Sequence, residues 1–167
     1  MKNREYRSGL KSRQHKVSDE LPLWYLPTER GLKFMPKVLA DDMTKNEKVI
    51  YAAEQHYLYE EGVYVPIPEM TAQRMVQEKM LAQECRFSQI TDAEKQWRLQ
   101  VCKEIRELNS NPFMINVKNG VYNVLEGKLY DHSPDLLSTI QLNVRYAPEA
   151  DCPLFKKFLY DSMEGDE

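Results

Sequence analysis

The stretch from Ile115 to Pro153 most restricts what this chain can fold into. It opens INVKNGVYNVLEGKLYDHSP and runs on through YAPEADCP. Asn119-Gly120 and Glu126-Gly127 follow one another so closely that only Val121–Leu125 lies between them. No helix fits into that spacing, so the stretch reads as strands Met114–Lys118, Val121–Leu125 and Lys128–Asp131 joined by tight turns. Asn-Gly suits a two-residue type I′ hairpin turn, whose two central positions need positive φ. His132-Ser133-Pro134 breaks the run. QLNVRY then alternates apolar and polar, predicting one more strand over Thr139–Tyr146. Asp151 suits the cap of a last helix with Pro153 in its first turn, and Leu154, Phe155, Phe158 and Leu159 form its apolar stripe.

The segment LPLWYLPTERGLKFMP has too many large apolar residues to leave in water and too many prolines for a helix. It predicts an extended segment pinned to the domain surface. Pro36 suits the first turn of a short helix to about Thr44, with Val38, Leu39 and Met43 inward. KVIYAAEQHYLYEEGVYVPI (48–67) is rich in β-formers, and Glu60-Glu61-Gly62 is a hairpin turn, with Pro66 and Pro68 ending the pairing. Two helices follow. One is predicted over Glu69–Glu84, with Ala72, Val76 and Met80 in one row and Met75 beside it. The other is predicted over Thr91–Leu108, opened by a Thr91/Glu94 capping box, with Ile90, Trp97, Val101, Ile105 and Leu108 on one face. Asn109 to Pro112 stops it.

At 167 residues with 42% hydrophobic and 29% charged side chains, the chain has the composition of an ordinary globular domain. No apolar run is long enough to span a membrane, and the N-terminus lacks the apolar core of a secretory signal. Cys85, Cys102 and Cys152 fit neither a disulfide framework nor a zinc site and read as reduced thiols. Net charge is −3, unevenly spread. Lys2, Arg4, Arg7, Lys11, Arg13 and Lys16 make residues 1–20 a flexible basic arm, while residues 149–167 are mainly acidic.

No catalytic constellation stands out. There is no GxxxxGK[ST] and no GxGxxG, so nothing cradles a triphosphate. His15, His56 and His132 are not spaced as metal ligands; His56 reads as a sheet histidine and His132 as a turn-bonding one. Asp41 and Asp42 are helix neighbours that diverge, so no metal site is expected. The candidate nucleic-acid contacts are basic: Lys95, Arg98 and Arg106 on the second helix, with Arg74 and Lys79 on the first. Helix, turn, helix and flanking hairpins resemble a winged-helix arrangement. The bland alternative is a solvated face with i,i+4 pairs Glu94–Arg98 and Lys103–Glu107. The tyrosines of the hairpins fit sheet packing better than base stacking. Phe155, Phe158 and Leu159 are the candidate interface, through which self-association is expected if no following domain covers them.

The order of parts carries a resemblance. GLKFMP leads to YLYEEGVYVPI, then two helices, then INVKNGVYNVLEGKLYDHSP and QLNVRYAPEADCPLFKKFL. Over residues 21–167 this resembles the domain immediately N-terminal to the helicase motor in phage, plasmid and poxvirus-type primase-helicases of superfamily 3. The resemblance implies a non-catalytic module of DNA replication, linking primase to a hexameric ATPase and aiding ring assembly or DNA engagement. It implies DNA, the adjacent helicase and primase domains and other copies in the parent hexamer as partners. It places the protein in the cytoplasm of a bacterial host, phage or prophage encoded. ATP and magnesium are implied only for the downstream motor, and none for this segment. The parent would be an ATP-dependent helicase or primase, this segment alone no enzyme. The expected architecture is α+β, helices against small antiparallel sheets. Residues 21–152 would form the linker or collar domain, and 153–167 a terminal helix leading toward the helicase domain. The sequence is expected to be an isolated fragment or a truncated reading frame. The alternative is a stand-alone nucleic-acid-binding module using the 69–108 helix pair.

Overall fold

The computed structural model describes residues 21–163. The expectation of a basic arm at residues 1–20 lies outside them, as do residues 164–167. The fold is α+β, with four α-helices and three small antiparallel sheets among the described residues.

The proline-rich entry segment is a hairpin of β1 (Tyr25–Thr28) and β2 (Gly31–Phe34), where the sequence predicts only a pinned extended segment. Pro27 is tolerated within β1 because a two-stranded ribbon has free edges. Thr28 Oγ1 donates to the Gly31 carbonyl at 2.7 Å and closes the turn. Tyr25 is buried, stacks obliquely on Phe34, and accepts through its hydroxyl from the Leu81 backbone N–H at 3.2 Å.

Helix α1 (Pro36–Asn46) begins on the expected proline. Its buried side is Leu39, Ala40 and Met43, with Val38 half-buried. The first three-stranded sheet is β3 (Val49–Ala52), β4 (Gln55–Glu60) and β5 (Val63–Ile67), in that order. Glu61 and Gly62 form the expected β4–β5 turn with φ of +47° and +90°. Pro66 does not end β5: it pairs opposite Tyr57, since β5 is an edge strand.

Helix α2 (Glu69–Glu78) ends six residues short of the predicted Glu84, and a separate 3-10 turn spans Ala82–Glu84. Ala72, Val76 and Met80 are nonetheless buried together. Helix α3 runs Phe87–Gln100, displaced toward the N-terminus from the predicted Thr91–Leu108. Thr91 is not its cap; its hydroxyl donates back to the Phe87 carbonyl at 3.1 Å. Ile90, Trp97 and Val101 are buried as expected, but Ile105 is 69% exposed. The helix stops because the chain after it pairs with β3: Tyr51 N–H donates to the Val101 carbonyl at 3.0 Å and Lys103 N–H to the Tyr51 carbonyl at 2.8 Å. The expected Lys103–Glu107 helix pair is therefore replaced by Glu107 accepting from the Glu104 N–H at 2.7 Å. The connection from Lys79 to Arg86 is longer than the about 3–4-residue turn of a helix-turn-helix.

The core lies where α1, α2 and α3 meet the first sheet. Trp97, Leu39 and Met43 are its largest enclosed apolar side chains, packed with Ala40, Val49, Ala72, Val76 and Ala93. Small alanines at the crossings let the helix backbones approach closely while Trp97 fills the volume left.

The second half is built on β6 (Met114–Val117), β7 (Gly120–Asn123) and β8 (Lys128–Tyr130), in that order. The first loop is Lys118-Asn119, one residue earlier than the predicted Asn119-Gly120, because Val117 pairs with Gly120. Gly120 opens β7 instead, where a Cβ would run into the Tyr130 carbonyl. Residues 139–146 are not the predicted strand. They run beside β6 with a single parallel bridge, Leu142 to Val117. Helix α4 spans Pro153–Met163, as expected, and Cys152 N–H donates to Asp151 Oδ1 at 2.8 Å before it. Every residue of α4 is exposed.

Candidate functional site

Three groupings bear on function: a buried charged cluster, the basic side chains of α2 and α3, and the exposed helix α4.

The cluster centres on Glu94. Its helix face points into the core, so the carboxylate is fully buried, and β4 brings His56, 2% exposed, to meet it. Glu94 Oε1 accepts from Arg98 Nε at 2.9 Å, lies 2.7 Å from Arg98 Nη2, and is 3.1 Å from His56 Nε2. Arg98 Nη2 also reaches Glu69 Oε1 at 3.0 Å, and its guanidinium lies 4.9 Å from the centre of the Tyr51 ring. Tyr51 meets His56 edge-on at 4.8 Å. Burial on its own raises the Glu94 pKa, but hydrogen bonding to His56 and Arg98 and the guanidinium charge outweigh it, holding the carboxyl below its ordinary value. The cluster ties α2, α3, β3 and β4 together. His56 and Glu94 are closed off from solvent on all sides, so the arrangement braces the fold rather than meeting a substrate.

The five candidate basic residues do not form one stripe. Arg74 pairs with Glu78 at 3.8 Å and borders a groove of about 290 Å³ between α2 and α3, lined also by Met70, Gln77 and Phe87. Lys79 pairs with Glu47 at 2.9 Å. Arg98 belongs to the buried cluster. Lys95 is exposed on α3. Arg106 lies beyond the end of α3, in the 3-10 turn Ile105–Glu107, and pairs with Glu104. Among the described residues, no group of three or more His, Cys, Asp or Glu is gathered to hold a metal. Among the described residues no helix is long and apolar enough to cross a membrane. Cys85, Cys102 and Cys152 are unpaired.

The two halves of the protein meet at the β4–β5 turn, a junction the sequence alone does not reveal. Asn116 Nδ2 donates to the Gly62 carbonyl at 2.8 Å, and Gln141 Nε2 to the Glu61 carbonyl at 2.9 Å. Tyr64 N–H donates to the Ser138 carbonyl at 2.8 Å. His132 packs its ring over Gly62 and makes a 2.8 Å hydrogen bond from Nε2 to the Val117 carbonyl. A carbonyl can only accept, so Nε2 carries the proton. The turn-bonding expectation for His132 matches this contact.

Phe155, Phe158 and Leu159 are exposed together on α4, with Leu154 and Met163 beside them. Lys156 pairs with Asp151 at the start of the helix.

The D5 N-terminal-like family matches residues 37–164. The match covers most of the chain, and the protein belongs to that family, the domain that precedes the helicase domain in phage and viral primase-helicase proteins. The matched span starts in α1 and runs through α4, so it takes in the helical core, both three-stranded sheets and the junction between them. No curated protein matches the chain.

Proposed function

We propose that this protein is a non-catalytic module of a phage-type DNA-replication primase-helicase. It joins the primase to the hexameric ATPase and helps the ring assemble or engage DNA, in the cytoplasm of a bacterial host. The observation that carries the reading is the family match across 37–164. The exposed apolar row of Phe155, Phe158 and Leu159 supports it, because a row of that kind on a free helix suits a protein contact. ATP and magnesium belong, on this reading, to the helicase domain of the parent protein and not to this segment.

The test is sedimentation of the chain mixed with the purified ATPase domain of its parent primase-helicase. A joint, faster-moving species that F155E/F158E disperses is the expected result. Two species sedimenting independently at every concentration would count against the reading.

Of the candidate basic residues Arg74, Lys79, Lys95, Arg98 and Arg106, DNA engagement is assigned to the exposed Arg74, Lys95 and Arg106, since Lys79 is held by Glu47 and Arg98 by Glu94 and Glu69. The exposure of Arg74, Lys95 and Arg106 favours it, since exposed pairs are weak and exchange readily for phosphates. Arg98 braces the core, so the informative variant is R74A/K95A/R106A. Binding to single- and double-stranded DNA that falls steeply with salt and weakens in this variant supports the assignment. DNA affinity unchanged in the variant removes it.

A further inference from the structure

Helices α2 and α3 leave a groove of about 290 Å³ between them. Helical spacing builds its walls. On α2, Met70, Gln73, Arg74 and Gln77 fall at i, i+3, i+4 and i+7 and make one stripe. On α3, the first residue, Phe87, faces that stripe, and Ile90 one turn on closes the groove against the core. The groove therefore offers three kinds of group. Met70 and Phe87 are apolar yet 72% and 71% exposed. Gln73 and Gln77 present side-chain amides, one turn apart. Arg74 is the one charged residue among those that line it.

Exposed charges nearby are of both signs: Arg74, Arg86 and Lys95 against Glu69, Glu78 and Asp92. What selects the occupant is their placement, because the cation lines the groove and no carboxylate does. Glu69 is engaged by Arg98 at 3.0 Å and by Gln73 at 3.3 Å. Glu78 holds Arg74 only through a 3.8 Å pair exposed on both sides. Such a pair is weak, so the guanidinium is available to a phosphate, which it grips with two N–H groups. A nucleobase has two apolar faces, an edge of hydrogen-bonding groups and a phosphate on a short tether. Phe87 and Met70 suit the faces, the Gln73 and Gln77 amides suit the edge, and Arg74 suits the phosphate. An amphipathic peptide helix, about 10 Å across, finds no continuous apolar row here, since the two glutamines interrupt it. A paired base has both faces covered by its neighbours in the stack, so only an unpaired one can lie on Phe87.

We infer that the α2–α3 groove is a site for one unpaired base of single-stranded DNA, stacked on Phe87 with its phosphate on Arg74. The inference rests on the DNA-engagement part of the proposed function and deepens it. Phosphate contacts alone hold a nucleic acid of any form. A stacking wall beside a cation adds selection of the unwound strand over the duplex. Lys95 lies eight residues beyond Phe87 on α3, about 12 Å along the helix at 1.5 Å per residue, where it can meet a neighbouring phosphate of the same strand.

Fluorescence anisotropy of the full chain with labelled oligothymidylate, oligouridylate and a DNA duplex of the same length tests this. The expected result is tightest binding to oligothymidylate, weakened about tenfold in F87A and recovered in F87W, with duplex binding the same in both. L99A, at an equally exposed apolar residue of α3, leaves every affinity unchanged. Phe87 is a surface residue, and an unchanged circular dichroism spectrum shows that each variant still folds. Irradiation of a strand carrying 5-iododeoxyuridine provides a direct readout, with the cross-link expected at Phe87 or Met70. Equal affinity for strand and duplex, tighter binding of oligouridylate, indifference to F87A, or equal loss in L99A overturns the inference. So does co-sedimentation with the ATPase domain that F87A disperses while oligothymidylate binding persists, which gives the groove to a protein partner. Loss in R74A/K95A/R106A with F87A indifferent rejects the stacking site alone and leaves phosphate engagement standing. Binding to none of the three nucleic acids rejects both.

Discussion

His132 lies so close over Gly62 that a Cβ on the glycine would come within 2.6 Å of the imidazole Nδ1. Gly62 also has φ of +90°, in the left-handed half of conformational space that only glycine enters freely. The two halves of the protein are thus held together at a point where both the backbone conformation and the missing side chain are required.

Gly62→Ala is expected to destabilise the protein by about 2–4 kcal/mol, combining left-handed strain with overpacking. Urea denaturation measures it. In a His132→Ala background the ring is gone and only the strain remains, so the cost of G62A falls by about 1 kcal/mol or more. An identical cost in both backgrounds would mean that the ring contact contributes nothing.

Glu94 gives a pH signature. Its folded-state pKa is depressed below the ordinary 4.5, so its stabilising contribution is complete above that value. The contribution is lost as pH falls from 4.5 through the depressed folded pKa. Acid denaturation is therefore expected to shift to higher pH when the partner charge is removed in Arg98→Met. Glu94→Ala leaves His56 and Arg98 facing a cavity and costs about 3–5 kcal/mol at neutral pH, the range for breaking one side of a buried pair. An E94A variant with unchanged denaturation midpoint would show that the cluster does not brace α3.

The β3–β4 turn should be improvable. Ala53 and Glu54 both have positive φ, +47° and +60°, without being glycine or asparagine. Left-handed backbone costs most side chains about 1–2 kcal/mol, and type I′ turns favour Asn-Gly. Ala53→Asn with Glu54→Gly is expected to raise stability by about 1 kcal/mol, read as an increase in the thermal midpoint.

These turns also show how far the sequence can be read. The β4–β5 hairpin was legible because Gly62 supplies its own reason for a turn. The β3–β4 turn was not, since Ala53-Glu54 has no turn chemistry and is imposed by pairing Val49–Ala52 with Gln55–Leu58. Helix α3 was misplaced for a related reason. Thr91 and Glu94 have the spacing of a capping box, but Glu94 is drawn inward by His56 and Arg98. The end of the helix at Gln100 is set by the distant Tyr51, which captures the backbone at Val101 and Lys103. The Glu94–Arg98 pair could be read from i,i+4 spacing. Its burial and its third member, His56 on another element, could not. Lys95 and Arg106 share an azimuth only on a helix that continues past Gln100, so their separation follows from the same long-range pairing.

Asn119 is expected to fix the path of residues 139–146. Asn119→Ala removes the hydrogen bonds its side chain makes to the Tyr146 N–H and carbonyl and should cost about 1–2 kcal/mol. Hydrogen exchange at the Tyr146 amide should speed up far more than exchange at core amides of α3. Equal protection at Tyr146 in the variant would show that the Tyr122–Tyr146 stack alone holds the segment.

The central claim is that this D5 N-terminal-like domain serves a primase-helicase without catalysing anything itself. ATP turnover tests it most directly, measured for the chain alone, for the parent ATPase domain alone, and for the two together over a range of protein concentrations. The account predicts no turnover by the chain, and a motor that reaches full activity at lower concentration when the chain is present. Hydrolysis by the chain alone, or a motor whose concentration dependence is the same with and without it, would contradict the account.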